Sequence, residues 1–493
     1  MATVKDITTM CKVGNVLEAY KTAKADLEAY PQDVWSHREV GWALYYMLKF
    51  DIQNHFCEDF INHVEELTNL SLLTIADDSV IFDNMLWKIA EFIKYMPKDN
   101  VEGIDRMYSL ISKYTFKPSK GYSYLLKSYL GFETWERLVD FFEWWNIEKL
   151  LPEDYQPFKR ENGQKIMSLA EQVYIAYSKA LLRLNDKDKI RDFLPQIEKL
   201  MEAHPEMIYP GYFCGKLMLA MGAAKEDALN IVMPFVRKKR SEFWIWQLLS
   251  EIYRDDTNTR QACLLRAVHC KTQETFLGRV RILLVSMYLS RNDIQRAKYH
   301  LDKVTRCYLQ QGWHLPIELR NWINDKWVQN AVADSSIDID YMQITDAILS
   351  YGANENLAVV TYVDTTNKRT AIVYDKEKRI IVKPSDLHIR VKVGTLLRIY
   401  WTSAPKNGIN IVRAESVDSV VSCTYIKFIK GNIHKPKNKP FAFIKEDDVN
   451  CFITPHTVQK YNVNGEEKAT ALAVYDYNKK KKQWAWTCVS INK

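Results

Sequence analysis

Glycine and proline are scarce, at 16 and 15 residues in 493. That excludes collagen-like and linker-dominated architectures. The nine cysteines are scattered (Cys11, Cys57, Cys214, Cys263, Cys270, Cys307, Cys423, Cys451, Cys488), and no two stand as Cys-x-x-Cys. Neither a zinc knuckle nor a redox pair is signalled. No apolar run approaches the roughly 18–20 residues of a membrane span; the best runs from Ile282 to Leu289. The start, Met1-Ala2-Thr3-Val4-Lys5-Asp6, lacks the apolar core of a signal peptide. These absences lead us to expect a soluble, reduced, cytoplasmic protein with no membrane partner.

Recognised catalytic signatures are missing too. There is no phosphate-cradling G-x-x-x-x-G-K-S/T loop, no G-x-G-x-x-G after a strand, no H-E-x-x-H and no G-x-S-x-G. His55 and His63 flank Cys57, Glu58 and Asp59, but eight residues of helix is about two turns, too far for one ion. His269 and Cys270 are adjacent and point to different helix faces, so they make no catalytic pair. We expect no catalytic residue, no metal and no cofactor.

What is present is an ordinary globular balance, 47% hydrophobic and 26% charged, rich in rings with 14 Trp and 28 Tyr. The length suits about three to four units. Net charge is +7, and it is uneven: residues 421–493 carry 13 Lys/Arg against 6 Asp/Glu, 341–420 carry 11 against 8, and 1–340 carry a net −3. A basic module on a near-neutral body suggests a polyanion partner for that module. A lysine-rich edge that keeps strands from pairing between molecules gives the same arithmetic.

Over residues 1–333 apolar residues recur at helical spacing, as in Leu86 to Tyr95, Trp135 to Trp145 and Ile166 to Leu184. Short breaks at Pro31, Pro97, Pro118, Pro152, Pro205, Gly222 and Asn292-Asp293 separate them, the pattern of paired antiparallel helices. Trp144-Trp145 is most simply core. Arg237-Lys238-Lys239-Arg240, the one basic cluster here, sits at a helix end, where cations are favoured. Gly14-Asn15, Ala19, Ala23, Leu27 and Pro31, followed by Gly41-Trp42-Ala43-Leu44-Tyr45, resemble the tetratricopeptide repeat, and Arg291 to Ala297 is a weaker echo. The small residues let a paired helix approach, and proline stops the helix. The 34-residue period is lost between these places, so a degenerate α-solenoid is expected. The resemblance implies a protein partner in its concave groove.

The period changes near 350. Val359/Thr361/Val363, Thr370 to Tyr374, Arg379 to Val382, Leu396 to Tyr400 and Gly408 to Val412 are short, β-branched and alternating. Five strands in about 60 residues suit an OB-like β-barrel over 341–420. Asp334 to Asp340, small and acidic, marks a boundary before it.

The last 73 residues carry the sharpest pattern. Tyr425 to Lys430 is followed by a basic loop (Gly431 to Lys439), then Pro440-Phe441-Ala442-Phe443-Ile444, an acidic turn, and Asn450-Cys451-Phe452-Ile453. Phe441 and Phe443 are two apart and share a strand face. Ala442 and Ile444 supply the inward face. Phe452 joins the rings from the neighbouring strand, beside His434, Lys435, Lys437 and Lys439. Stacked bases plus neutralised phosphates is how single strands are held without reading sequence.

This stretch resembles the cold-shock domain. The resemblance places Phe428 at that family's exposed Trp, next to Lys427 and Lys430. It places Phe441 and Phe443 at the two Phe of the first ribonucleoprotein-type motif, and Phe452 at the Phe of the second. Pro440 and Ala442 replace two glycines, and Thr454 stands where the family has His, with His456 two residues on. Val463 to Glu467 looks like the turn before the fourth strand, with Ala471 to Tyr475 and Trp484 to Val489 as the last two. The run Lys479-Lys480-Lys481-Lys482 either extends a phosphate track or is a solvated hairpin tip. Trp484 and Trp486 share one face, where one offers a further stacking surface.

The expected architecture is therefore multidomain α + β: a helical scaffold over 1–333, an OB-like barrel over 341–420 and a cold-shock-like OB barrel over 421–493. Such combinations resemble proteins of prokaryotic conflict (antiviral defence) systems. The expected function is a non-enzymatic adaptor that binds single-stranded RNA or DNA with its C-terminal barrel and a protein partner with its helices. The alternatives are a pure interaction scaffold whose barrels bind peptides, and an enzyme with an unrecognised site in the solenoid groove. RNA versus DNA, the partner and the oligomeric state are open in the sequence.

Overall fold

The computed structural model describes residues 2–97, 100–387, 389–404, 408–418, 422–478 and 481–492. The chain divides into two compact units, residues 1–235 and 236–493.

The first unit is helical. Thr3 and Asp6 form a capping box that opens the helix Val4–Lys12. Gly14, at φ +96°, turns the chain into Val16–Ala29. Ala19 and Ala23 of that helix are fully buried, because side chains this small let the helix Val34–Asn54 come close. Packing then proceeds between neighbours and next-but-one neighbours: Val4–Lys12 touches Val34–Asn54, which touches Ser79–Tyr95, which touches Lys120–Tyr129. That is how a helical stack buries a continuous core. Trp145 is fully buried and stacks on Tyr122 with centroids 4.5 Å apart. His63 Nδ1 lies 2.7 Å from Asp51 Oδ2. A two-stranded ribbon, β1 (Phe158–Lys159) and β2 (Lys165–Ile166), interrupts the helices.

The second unit begins with helices that include Phe243–Ile252, Thr257–Val268, Gly278–Ser290 and Ile294–Gln311. Arg281 is buried among them, paired with Glu274 and directed at His300 Nδ1 at 2.9 Å. The acidic stretch expected as a boundary is strapped to these helices. Gln261 Nε2 and Tyr288 Oη donate to Asp338 Oδ1 at 2.8 and 3.0 Å, and Arg296 Nε donates to Ser336 O at 2.9 Å. The basic cluster has structural work as well. Arg237 donates to the carbonyls of Leu349 and Tyr351, and Arg240 donates to Val412 O. These arginines hold the end of the helix Tyr341–Leu349 and the sheet that follows.

That sheet is β3 (Asn354–Asp364), β4 (Arg369–Asp375), β5 (Lys378–Val382), β6 (Leu396–Ala404) and β7 (Gly408–Ser416), in the order β5-β4-β3-β6-β7. It is the partly open form of the expected barrel, since β5 and β7 do not pair. Leu387, from the short helical turn after β5, is fully buried in the core with Ile409 and Leu397 and fills that side. The last five strands close completely: β8 (Ile426–His434), β9 (Ala442–Glu446), β10 (Val449–Ile453), β11 (Glu467–Asn478) and β12 (Gln483–Asn492), ordered β10-β12-β11-β8-β9. Strands β10 and β12 run parallel, which requires the connection through the helix Pro455–Lys460 and β11. Gly431 permits the closure, because a Cβ there would collide with the carbonyl oxygen of Lys445 on β9.

Sheet and barrel share a second core. Val359, Val373 and Leu396 of the sheet pack with Ile426, Leu472, Val474 and Val489 of the barrel. Tyr425 Oη donates to Leu357 O at 3.0 Å. Among the described residues no helix is long and apolar enough to cross a membrane, and the nine cysteines are free.

Candidate nucleic-acid interface

Alternation on β8, β9 and β10 sorts the side chains of the barrel. Ile429, Ile433, Ala442, Ile444, Cys451 and Ile453 point inward and are buried. Burial pushes the Cys451 thiol up and the Cys488 thiol to about 12, so both stay neutral packing groups. The residues between them face outward.

Register then builds a row across three strands. His434 of β8 is opposite Phe443 of β9, and Phe443 is opposite Phe452 of β10. Directly opposed residues share a face, so these three side chains stand side by side. Phe441, just before β9, completes the group. The centroids of Phe441, Phe443 and Phe452 are 5.6, 5.6 and 5.7 Å apart, and the rings are mutually tilted. All three are half-buried on the outside of the barrel, so each offers ring surface to solvent.

Charge is distributed along the same strands. The loop from Lys435 to Phe441 leaves β8 and enters β9 at the ring end. Lys437 and Lys439 on it are exposed, and its turn is set by Lys439 N donating to Pro436 O at 3.2 Å and by Asn438 at φ +57°. The acidic turn Glu446-Asp447-Asp448 lies at the other end of β9, three or more residues past Phe443, or roughly 10 Å. Cations thus flank the rings while the carboxylates are held off. One acid is nearer: Glu466 Oε1 lies 3.7 Å from His434 Nδ1, with both side chains well exposed.

The other residues singled out from the sequence are dispersed. Lys435 is half-buried and donates to Val463 O at 3.1 Å, so it braces the loop. Phe428 and Lys430 share the outward face of β8 with His434, but lie several residues back along the strand. Phe428 is 38% exposed, sits opposite Leu472 and has no ring partner among the described residues. Lys427 is on the opposite parity. It pairs with Ala473, and its Nζ stands 5.3 Å above the Trp486 ring. His456 is exposed on the helix Pro455–Lys460, which Thr454 caps by accepting from Thr457 N at 3.2 Å. Lys479 and Lys480 lie outside the described residues; Lys481 and Lys482 are exposed.

Two tyrosines escaped the sequence reading. Tyr475 and Tyr477 of β11 stand opposite Trp486 and Trp484 of β12 and form a second ring cluster. The signal was available, since their spacing of two on a strand next to a Trp-x-Trp puts four rings on one face.

A ring platform rimmed by exposed cations can stack bases and neutralise phosphates. Residues 427–491 match the family described as S1/CSD-like domain 2 of the TOTE conflict systems. That match runs from β8 to β12 and so covers the closed barrel. Residues 208–347 match a domain of unknown function, DUF7017. Comparison with curated proteins and with solved structures finds no match.

Proposed function

We propose that this chain is a non-enzymatic cytoplasmic adaptor that binds single-stranded nucleic acid through its C-terminal barrel and a protein partner through tetratricopeptide-like helices. The observation that carries the reading is the row His434–Phe443–Phe452 with Phe441 beside it. Three Phe rings left half-exposed on the outside of a small barrel cost solubility unless they are used. The exposed lysines at the same end supply phosphate contacts. The similarity of this barrel to an S1/CSD-like domain of conflict systems supports both the nucleic-acid ligand and an antiviral setting.

The helical part of the reading rests on its stacked packing and on a cleft of about 580 Å³ in the first unit. Ile61, Phe92 and Met96 give that cleft apolar walls, and Glu58, Glu91 and Glu102 line its rim. Glu58 and Glu91 are already paired with Arg106 and Lys88, so the cleft suits a peptide segment that presents apolar side chains.

Salt separates the nucleic-acid reading from a barrel that binds peptides. Binding of a single-stranded oligonucleotide to the full chain is measured at roughly 50 and 200 mM salt. Phosphate contacts predict a steep loss of affinity across that range, with a log–log slope of about −0.7 per phosphate contacted. An affinity indifferent to salt, or no binding at the lower concentration, contradicts the proposal.

A further inference from the structure

One end of the helical stack in the second unit carries an apolar surface left open by the described residues. The helix Ile294–Gln311 buries Ala297, Leu301, Val304 and Cys307 at helical spacing, and its outward face should then be polar. Leu309 breaks that rule, at 65% exposed. Gly278 opens the neighbouring helix Gly278–Ser290, and a Cβ there would stand 3.2 Å from the Tyr308 ring. The missing side chain lets Tyr308 lie over the start of that helix, at the same end as Phe276. Trp313 meets the Tyr308 ring edge-on at 5.5 Å, and Phe276 stacks on Phe243 at 6.2 Å. Phe276 is 60% exposed, Trp313 45%, and Ile317, which opens the next helix, 57%. Rings and aliphatic chains exposed together in this way mark a contact site.

The charge around this surface leans one way. The two helix ends that carry the rings, residues 270–281 and 302–313, hold Lys271, Arg279, Arg281, Lys303 and Arg306 against Glu274 and Asp302. Both acids are taken: Glu274 pairs with Arg281, and Asp302 with Lys298. Lys271, Arg279 and Arg306 are exposed, and none of them pairs with a carboxylate among the described residues. Glu242 and Glu318 stand at the margins, the latter two residues from the exposed Arg320, so the surplus stays positive. Arginine, tryptophan and tyrosine are the side chains that most often carry binding energy at protein interfaces.

We infer that this end of the second unit docks a protein partner whose contact face combines apolar side chains with carboxylates. Leu309 and Ile317 decide for a protein over a nucleic acid, because aliphatic chains cannot stack on bases and gain nothing beside phosphates. Arg279 and Arg306 decide for carboxylates, which a guanidinium meets with two parallel hydrogen bonds. The surface lies within residues 208–347, the stretch that matches a domain of unknown function. It rests on the reading of the helices as partner-binding, and it adds a site in the second unit to the cleft in the first.

The test selects random short peptides, displayed on phage, on the full chain. Selected peptides are synthesised, labelled and titrated by fluorescence anisotropy against the parent, Arg306→Glu, Leu309→Ser/Ile317→Ser and, in the first-unit cleft, Tyr95→Ser. All of the altered side chains are exposed, so each variant should keep the parent's Tm. Expected are peptides with Asp or Glu beside Leu, Phe or Trp, bound roughly tenfold or more weakly by both patch variants and equally well by Tyr95→Ser. Peptides without acidic residues overturn the inference. So do peptides weakened only by Tyr95→Ser, which leave the first-unit cleft and the partner-binding reading standing. An empty selection overturns both. Sedimentation velocity covers the remaining occupant: a dimer of the parent that Leu309→Ser/Ile317→Ser abolishes gives the surface to a second copy of this chain and overturns the partner proposed.

Discussion

Phe443 and Phe452 give the sharpest handle on how the barrel works. They are directly opposed on β9 and β10, with ring centroids 5.7 Å apart, and both are half-buried. The double variant Phe443→Ala/Phe452→Ala removes the middle of the platform. Base–aromatic stacks are worth about 1–3 kcal/mol each, so one stack alone accounts for roughly 5- to 150-fold in Kd. The two rings touch each other and Phe441, so the double loss falls short of the sum of the single ones. The cost to the fold is smaller. Ala442, Ile444, Cys451 and Ile453 form the core beneath and are untouched. What is lost is the ring–ring contribution, about 0.5–1.5 kcal/mol, and part of the apolar cover. Circular dichroism should therefore show a folded protein with a modestly lowered Tm, while anisotropy titration with a single-stranded oligonucleotide shows a large loss. A folded double variant with unchanged Kd refutes the stacking mechanism.

Three further outcomes follow from particular residues. Lys437→Ala/Lys439→Ala should leave Tm unchanged, because both side chains are exposed. It should flatten the log Kd against log salt plot by about 0.7 for each phosphate that is no longer neutralised; an unchanged slope removes these lysines from the interface. Gly431→Ala drives a Cβ into the Lys445 carbonyl and should cost about 1–3 kcal/mol, read as a lowered denaturation midpoint. A neutral effect means β8 and β9 do not approach as closely as the closed barrel requires. His300 is buried beside Arg281, and the two together hold its pKa down at about 3. The unfolded chain takes up a proton below about 6.5 and the folded one does not. Stability should therefore fall as pH drops from roughly 6.5 toward 3. His300→Gln, compared by denaturant titration across that range, should lose part of this slope.

Much of the barrel was legible because period-two alternation is a local property. Phe441-Ala442-Phe443-Ile444 reads directly as rings out and small or branched residues in, and the structure has Ala442 and Ile444 fully buried under the Phe cluster. What the sequence hid depends on partners far along the chain. Lys435 sits in the basic loop but is drawn to Val463 O, 28 residues away. Lys427 is next to Phe428, so alternation alone puts it on the other face of β8; what the sequence hid is the Trp486 ring under its Nζ, 59 residues on. Arg237 and Arg240 read as a cation cluster at a helix end; their real partners are carbonyls at Leu349, Tyr351 and Val412, more than 100 residues on. The stretch Asp334 to Asp340 has the composition of a free linker, and only the fold brings Gln261, Tyr288 and Arg296 to hold it. The first sheet has the five expected strands, but β5 and β7 do not pair, and Leu387 of the helical turn after β5 is buried in its core, a place no spacing rule reveals.

The measurement that tests the account most directly is a competition on the full chain. A labelled single strand of roughly 16 nucleotides, a length one barrel can cover, is displaced by the unlabelled strand or by its duplex at physiological salt. A platform that stacks on base faces predicts displacement by the single strand at concentrations tenfold or more below those the duplex needs, since paired bases hide their faces in the helix. Equal displacement by the duplex, or no binding of the labelled strand, would contradict it.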